Sequence, residues 1–205
     1  MQHIFIINPH AGKKDQTGRI YEMADRLRQH GLTCQCLLTQ RSGGAEEIAR
    51  RLVSSGEEVR LYACGGDGTL NEVVNGAAGF DNAAVTCIPI GTGNDFLKNF
   101  GPDAAKFTDA ENLWDGEVHP LDLIDCNGRQ CLTIACSGID ARVAESVHEL
   151  GDSPFLSGRG SYLAAVAVNF LFRGIGRHWT VTLDDESVVY LSRAGKARLK
   201  EALAW

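Results

Sequence analysis

Three glycines surround one carboxylate in the segment Cys64-Gly65-Gly66-Asp67-Gly68-Thr69-Leu70-Asn71-Glu72. Glycines let a backbone turn tightly and approach a ligand with no Cβ in the way. The residues that follow read as a helix: Leu70, Val73, Val74 and Ala77 recur at helical spacing, and Gly79 is a natural stop. A helix opening here would present unpaired N–H groups and a positive dipole end, which suits a phosphate. Thr69 and Glu72 have the Thr-x-x-Glu spacing of a capping box. Asp67 has the wrong charge for a phosphate and the right one for a metal ion riding on it. The combination reads as a nucleotide–magnesium site, against the plainer reading of a Gly-rich strand-to-helix turn with a solvated aspartate.

A second loop of the same kind, Gly91-Thr92-Gly93-Asn94-Asp95, follows the apolar run Ala84 to Ile90. It is not a dinucleotide fingerprint, because Phe96 stands where a third glycine should be, and the chain contains no Gly-x-x-x-x-Gly-Lys-Ser/Thr loop. Two more loops complete the set. Ile4 to Ile7 leads into Asn8-Pro9-His10-Ala11-Gly12, and Thr33 to Leu38 leads into Thr39-Gln40-Arg41-Ser42-Gly43-Gly44. Each loop follows a strand pattern and precedes a helix pattern. In a parallel sheet such loops emerge together at the carboxyl ends of the strands, where ligands bind.

The positioning elements are legible from periodicity. Ile20, Met23, Ala24 and Leu27 form one helical stripe, and Ile48, Ala49, Leu52 and Val53 another. Strands alternate with helices up to about Phe100, which predicts a doubly wound parallel α/β sheet. A short helix is expected over Phe107 to Trp114. The pattern then changes: Leu121 to Cys126, Gln130 to Cys136, Trp179 to Leu183 and Ser187 to Leu191 read as strands, with Asn127-Gly128 as a hairpin turn. One helical interval, Gly160 to Phe172, interrupts them. The expected organisation is an α/β nucleotide-binding domain over 1–118, an incomplete antiparallel β-rich domain over 119–191, and an atypical tail over 192–205.

At 205 residues and a net charge of −6, the chain is neither a general nucleic-acid binder nor a polybasic membrane anchor. Seven scattered cysteines without zinc spacing read as buried reduced thiols. Met1-Gln2-His3 runs straight into a strand, leaving no room for a signal peptide, and no stretch is long and apolar enough to span a bilayer. A cytoplasmic location is expected.

Asn8-Pro9-x-Ala11-Gly12, Gly65 to Glu72, and Pro89-Ile90-Gly91-Thr92-Gly93-Asn94-Asp95-Phe96 resemble the diacylglycerol kinase catalytic-domain family, which includes bacterial lipid kinases and sphingosine and ceramide kinases. Gly-Gly-Asp-Gly alone is shared with phosphofructokinases and NAD kinases. Its extension into Leu70-Asn71-Glu72, joined with Gly91 to Asp95, is far more specific to the lipid kinases. The likeness continues through Asp122 and Ser137-Gly138-Ile139-Asp140-Ala141-Arg142-Val143.

The resemblance implies transfer of the γ-phosphate of Mg-ATP to a lipid hydroxyl such as that of diacylglycerol, by transient peripheral contact with the membrane. It implies that Gly65, Gly66, Asp67, Gly68, Thr69, Leu70 and Asn71 hold the nucleotide phosphates. Thr39, Gly91, Thr92 and Gly93 also line the nucleotide, with Asn8 and Asn94 supporting the loops. The same resemblance implies that Asp67, Asp95 and Asp122 would form a water-linked network around Mg2+. The likeness weakens near Leu183, and the family's later Asp-Gly segment, with metal ligands and the proposed base, has no counterpart. The expectation is a C-terminally truncated relative, either a fragment or a naturally shortened chain, with an open sheet edge and exposed apolar surface in its second domain.

The catalytic base is therefore unassigned. Asp95 is the best-placed carboxylate present, though a structural or metal-linked role fits it better; Asp140 reads as a turn or packing residue. His10 could meet a phosphate but reads better as a solvated loop histidine, His119 reads as linker, and His148 and His178 have no partners at informative spacing. Lys13 and Lys14 either steer ATP or form a solvated first helical turn. The alternatives to an active lipid kinase are a nucleotide-binding remnant without turnover and a kinase of a soluble acceptor such as NAD. An exposed edge would also allow a homodimer.

Overall fold

A computed structural model of the protein describes residues 1–136, 141, 179–182 and 188–191. The chain divides into two compact units, Met1–Ala135 and Cys136–Trp205. The first unit is built on four parallel strands: β1 (Gln2–Ile7), β2 (Cys34–Leu38), β3 (Val59–Gly65) and β4 (Ala83–Pro89), in the order β2-β1-β3-β4. Helices α1 (Thr17–Gln29), α2 (Gly44–Val53) and α3 (Asp67–Ala77) alternate with them. This is the doubly wound α/β sheet the alternation predicts.

The two central strands, β1 and β3, are apolar on both faces because both faces are covered. On one face Ile4, Ile6, Leu61 and Ala63 pack with Ala45, Ala49 and Val53 of α2 and Leu70, Val73 and Ala77 of α3. On the other, Phe5, Ile7, Tyr62 and Cys64 pack with Ile20, Met23, Ala24 and Leu27 of α1. The chain runs outward from β1 to β2, then crosses back to β3. The strand order thus reverses between β1 and β3, and the crevice of such a sheet opens at the carboxyl ends of those two strands.

After β4 the pattern departs from expectation. The single helix expected over Phe107 to Trp114 is absent. Instead, residues Asp95–Thr108 form a run of 3-10 turns with a kink at Gly101, followed by Pro102. Asp109 then adopts an extended conformation (φ −140°, ψ 131°) and caps a short 3-10 turn, Ala110–Asn112, by accepting the Glu111 amide. The aromatic spacing in this stretch serves ring packing: Phe96, Phe100 and Phe107 pack in series, edge-to-face and tilted, with centroids 5.3 and 4.7 Å apart. Arg26 of α1 holds the turn from below, bonding Asp109 at 2.7 Å and Glu111 at 2.8 Å.

The Asn-Gly hairpin forms as expected but is shorter, with β5 (Ile124–Cys126) antiparallel to β6 (Arg129–Cys131). Asn127 and Gly128 both take positive φ (56° and 82°), the requirement of a tight two-residue turn. Leu121, Ile124 and Ile134 are exposed, matching the apolar surface expected there. In the second unit, β7 (Trp179–Thr182) pairs antiparallel with β8 (Val188–Leu191). The helical interval Gly160 to Phe172, Asp140, His148, His178 and the 192–205 tail lie outside the described residues.

The cysteines are all free, but burial is uneven. Cys64 and Cys87 are buried, whereas Cys126 and Cys136 are exposed, so the expectation of buried thiols holds only in the sheet. No helix among the described residues is long and apolar enough to cross a membrane.

Candidate functional site

Because β1 to β4 are parallel, the four small-polar loops all leave the same rim of the sheet. The two glycine loops lie in contact. Ile90 and Gly91 both donate their amides to the Gly65 carbonyl, at 3.0 and 3.1 Å. A Cβ built on Gly91 would stand 2.4 Å from the Gly66 Cα and 2.9 Å from its nitrogen, so only glycine permits this approach. The first loop reaches the same place: Gly12, at φ 80°, lies so close to the Ile90 carbonyl that a Cβ would stand 2.2 Å from its oxygen.

Asp67 sits half-buried as the first residue of α3. Its Oδ1 accepts the Asp95 amide at 2.6 Å, tying the β4 loop to the helix start. Its Oδ2 faces Gly93, where a Cβ would approach to 2.5 Å. Burial pushes the Cys87 thiol up to about 12, and the Asp67 charge adds to that shift. Asp95 itself is exposed, and its carboxylate takes the Lys98 ammonium at 2.5 Å. Asn94 stands in the left-handed region (φ 54°), stabilised by its own amide donating to the Gly91 carbonyl at 2.8 Å.

The expected capping box does not form. α3 opens at Asp67, three residues earlier than that box requires, with Gly66 rather than Thr69 as its N-cap and no side-chain cap. Thr69 Oγ1 instead accepts the Asn8 side-chain amide at 3.2 Å, while Asn8 Oδ1 accepts the His10 amide at 3.0 Å. Glu72 turns sideways to α2, accepting the amides of Gly43 (2.9 Å) and Ala45 (3.1 Å). The spacing was right for a box, but both side chains find partners on neighbouring elements. The first-turn amides of α3 are left facing the rim, in the arrangement that binds anions.

The family model for the diacylglycerol kinase catalytic domain matches residues 2–126. The chain belongs to that family. It is 32% identical to a diacylglycerol kinase of Bacillus subtilis (strain 168) over 135 residues, 65% of this chain and 44% of that protein. It is 31% identical to a diacylglycerol kinase of Staphylococcus saprophyticus over 134 residues, with the same shares. Among solved structures, that of a diacylglycerol kinase from Bacillus anthracis str. Sterne matches at 26% identity and a TM-score of 0.50, covering 63% of this chain and 47% of that one. The chain spans about half the length of the curated relatives it matches.

Within this diacylglycerol kinase fold, the structure brings Asn8, Gly65, Gly66, Asp67, Thr69, Gly91, Gly93, Asn94 and Asp95 into one connected rim. Thr39 is buried at the start of the β2 loop, its amide on the Ile7 carbonyl at 2.8 Å. Gly68 and Thr92 are exposed, Asn71 is half-buried with its carbonyl accepting from Asn75, and Leu70 faces the core. Asp122 is exposed and distant in sequence from the rim loops, and among the described residues no three His, Cys, Asp or Glu side chains group to hold a metal. The donor set nonetheless fits magnesium, which takes one or two carboxylates and completes its shell with substrate phosphates and water.

Three residues escaped sequence reasoning. Gly12 stands out in the sequence only as part of a motif, not as a contact of the β4 loop. Glu72 was assigned to its own helix. Buried Asn75 pairs with the backbone of β6, donating to the Gln130 carbonyl (2.8 Å) and accepting its amide (2.9 Å). The signal available for Asn75 was a polar residue on an otherwise apolar helical face.

Proposed function

We propose that this chain binds Mg-ATP at the rim and forms the nucleotide half of a lipid kinase that passes the γ-phosphate to a hydroxyl such as that of diacylglycerol. The observation that carries the reading is the contact of the two glycine loops beside an uncapped α3, with Asp67 at the junction. Phosphoryl transfer asks a protein mainly for positioning and charge neutralisation. Backbone amides of Gly68 and Thr69 would take phosphate oxygens, with Gly91 to Asn94 and Thr39 closing on the nucleotide. Magnesium would ride on the phosphates against Asp67, with Asp95 and Asp122 acting through water, the part of Asp122 resting on the family resemblance. Residues 1–118 would form the nucleotide-binding part and 119–191 part of a lipid-binding one, meeting its substrate at the membrane surface.

A second reading is a nucleotide-binding unit without turnover. It is favoured by Asp95, the candidate base, being engaged by Lys98. Labelled ATP incubated with the chain and diacylglycerol-containing vesicles separates the two: labelled phosphatidic acid supports the kinase, and ATP binding without transfer supports the second. Absence of nucleotide binding defeats both, and phosphorylation of NAD would move the acceptor out of the lipid class.

A further inference from the structure

We propose that Glu72 is a positioning residue of the nucleotide site, clamping the Thr39–Gly43 loop to the helix that faces the phosphates. This rests on the Mg-ATP reading above and adds a role that the reading does not contain. The loop has two ends. At its start the Thr39 amide is fixed on the Ile7 carbonyl of β1 at 2.8 Å. At its finish, Gly43 is the N-cap of α2 in a left-handed conformation, with no side-chain cap of its own. The missing cap is supplied from α3. The two carboxylate oxygens of Glu72 divide the work, Oε1 taking the Gly43 amide and Oε2 the Ala45 amide. A carboxylate at a helix N-terminus is favoured by both the amides and the helix dipole.

The docking of α2 on α3 makes this clamp stiff. One turn further along α3, buried Gly76 lets the helices close until a Cβ there would stand 2.5 Å from the Glu46 carbonyl oxygen and 2.7 Å from the Ala49 Cβ. Arg50 of α2 donates to the Asn75 carbonyl at 2.6 Å. The same helix therefore carries Asp67 and its free amides at one end and sets the height of the neighbouring loop through Glu72.

The test is calorimetric titration of Mg-ATP into the wild-type chain, Glu72→Gln and Ala45→Pro, with thermal melting of each beside it. Glu72→Gln keeps the length but sets an NH2 group against a backbone N–H. Ala45→Pro deletes one donor, at the second position of α2, one past the position proline favours, and its ring must also fit a buried site. Both should weaken Mg-ATP at a temperature where each variant is folded, by about tenfold for Glu72→Gln and less for Ala45→Pro. Hydrogen exchange gives a readout that loss of stability alone would not produce: ATP should protect amides 39–45 in the wild type and lose that effect in Glu72→Gln, while protection at 65–70 persists. If the wild type binds no Mg-ATP, the nucleotide reading falls. If the wild type binds and both variants match its affinity and its protection pattern, the clamp is wrong. Should Glu72→Gln fail to fold, Ala45→Pro decides alone, and unchanged affinity there overturns the proposal.

Discussion

At the ends of β3 and β4 the two glycine loops hold one another by backbone contact, whereas the loops after β1 and β2 add side-chain ties to α3 to their backbone contacts. Gly66 and Gly91 touch with no room for a methyl group. Asn8 is also tied to Thr69, and the end of the Thr39–Gly43 loop and the first turn of α2 to Glu72. The difference assigns the tasks. The direct pair fixes the geometry that a triphosphate would meet, and α3 gathers the outer loops around it. A backbone contact cannot adjust to a substitution, while a side-chain tie weakens in proportion to the bond lost.

The largest effect should therefore come from Gly91→Ala. Its methyl group must displace the Gly66 backbone, so overpacking should cost about 1–3 kcal/mol in chemical denaturation and remove Mg-ATP binding. A variant with full affinity would show that the loops part without consequence. Asn75→Asp comes next and probes the far end of α3. A carboxylate there faces the Asn71 and Gln130 carbonyls that now accept its amide. Denaturation should register a loss of about 1–3 kcal/mol, with nucleotide affinity little changed. Asn8→Ala removes one tie to Thr69 and one local bond to His10, and is expected to cost about 1 kcal/mol in stability. Its affinity loss should fall well short of that of Gly91→Ala.

The smallest effect lies at the opposite end of the sheet and serves as a control. His3 is buried, with its Nδ1 2.9 Å from the Tyr62 hydroxyl. Burial first, then the Arg60 guanidinium and the N-terminal ammonium, depress its pKa below the ordinary 6.5. The unfolded chain thus takes up the proton more readily, and stability should fall as pH drops below about 6.5. Urea midpoints measured between pH 7.5 and 5.5 should show that slope in the wild type and a flatter one in His3→Gln. The depressed Glu111 carboxyl, held first by Arg26 and then by His30, contributes in the same direction only below its ordinary 4.5. Neither group should alter nucleotide affinity.

The sheet was legible because its physics is local and repetitive. Buried parallel strands must be apolar on both faces, so Ile4 to Ile7 and Val59 to Cys64 announce themselves, and the stripe Ile20, Met23, Ala24, Leu27 buries as its spacing requires. Gly65 to Asp67 and Gly91 to Asp95 were legible for a related reason: glycine clusters at strand ends carry a steric meaning of their own. Residues whose partners are remote in sequence were not. Glu72 fits a capping box by spacing, yet its partners lie 27 and 29 residues away on another helix. The helix expected over Phe107 to Trp114 does not form, because the aromatic rings of this stretch pack on each other through 3-10 turns, which leave no 3.6-residue period to detect. Asp109 breaks the expected helix by capping a shorter turn.

On the proposed function, a nucleotide's phosphates and their magnesium meet the carboxylate at the head of α3. Titrating ATP into wild-type chain and Asp67→Asn, each with magnesium and with chelator, tests it most directly. The wild type should bind markedly tighter with the metal, and Asp67→Asn should bind about equally in both conditions. Equal magnesium enhancement in the two proteins would place the ion elsewhere and contradict the account.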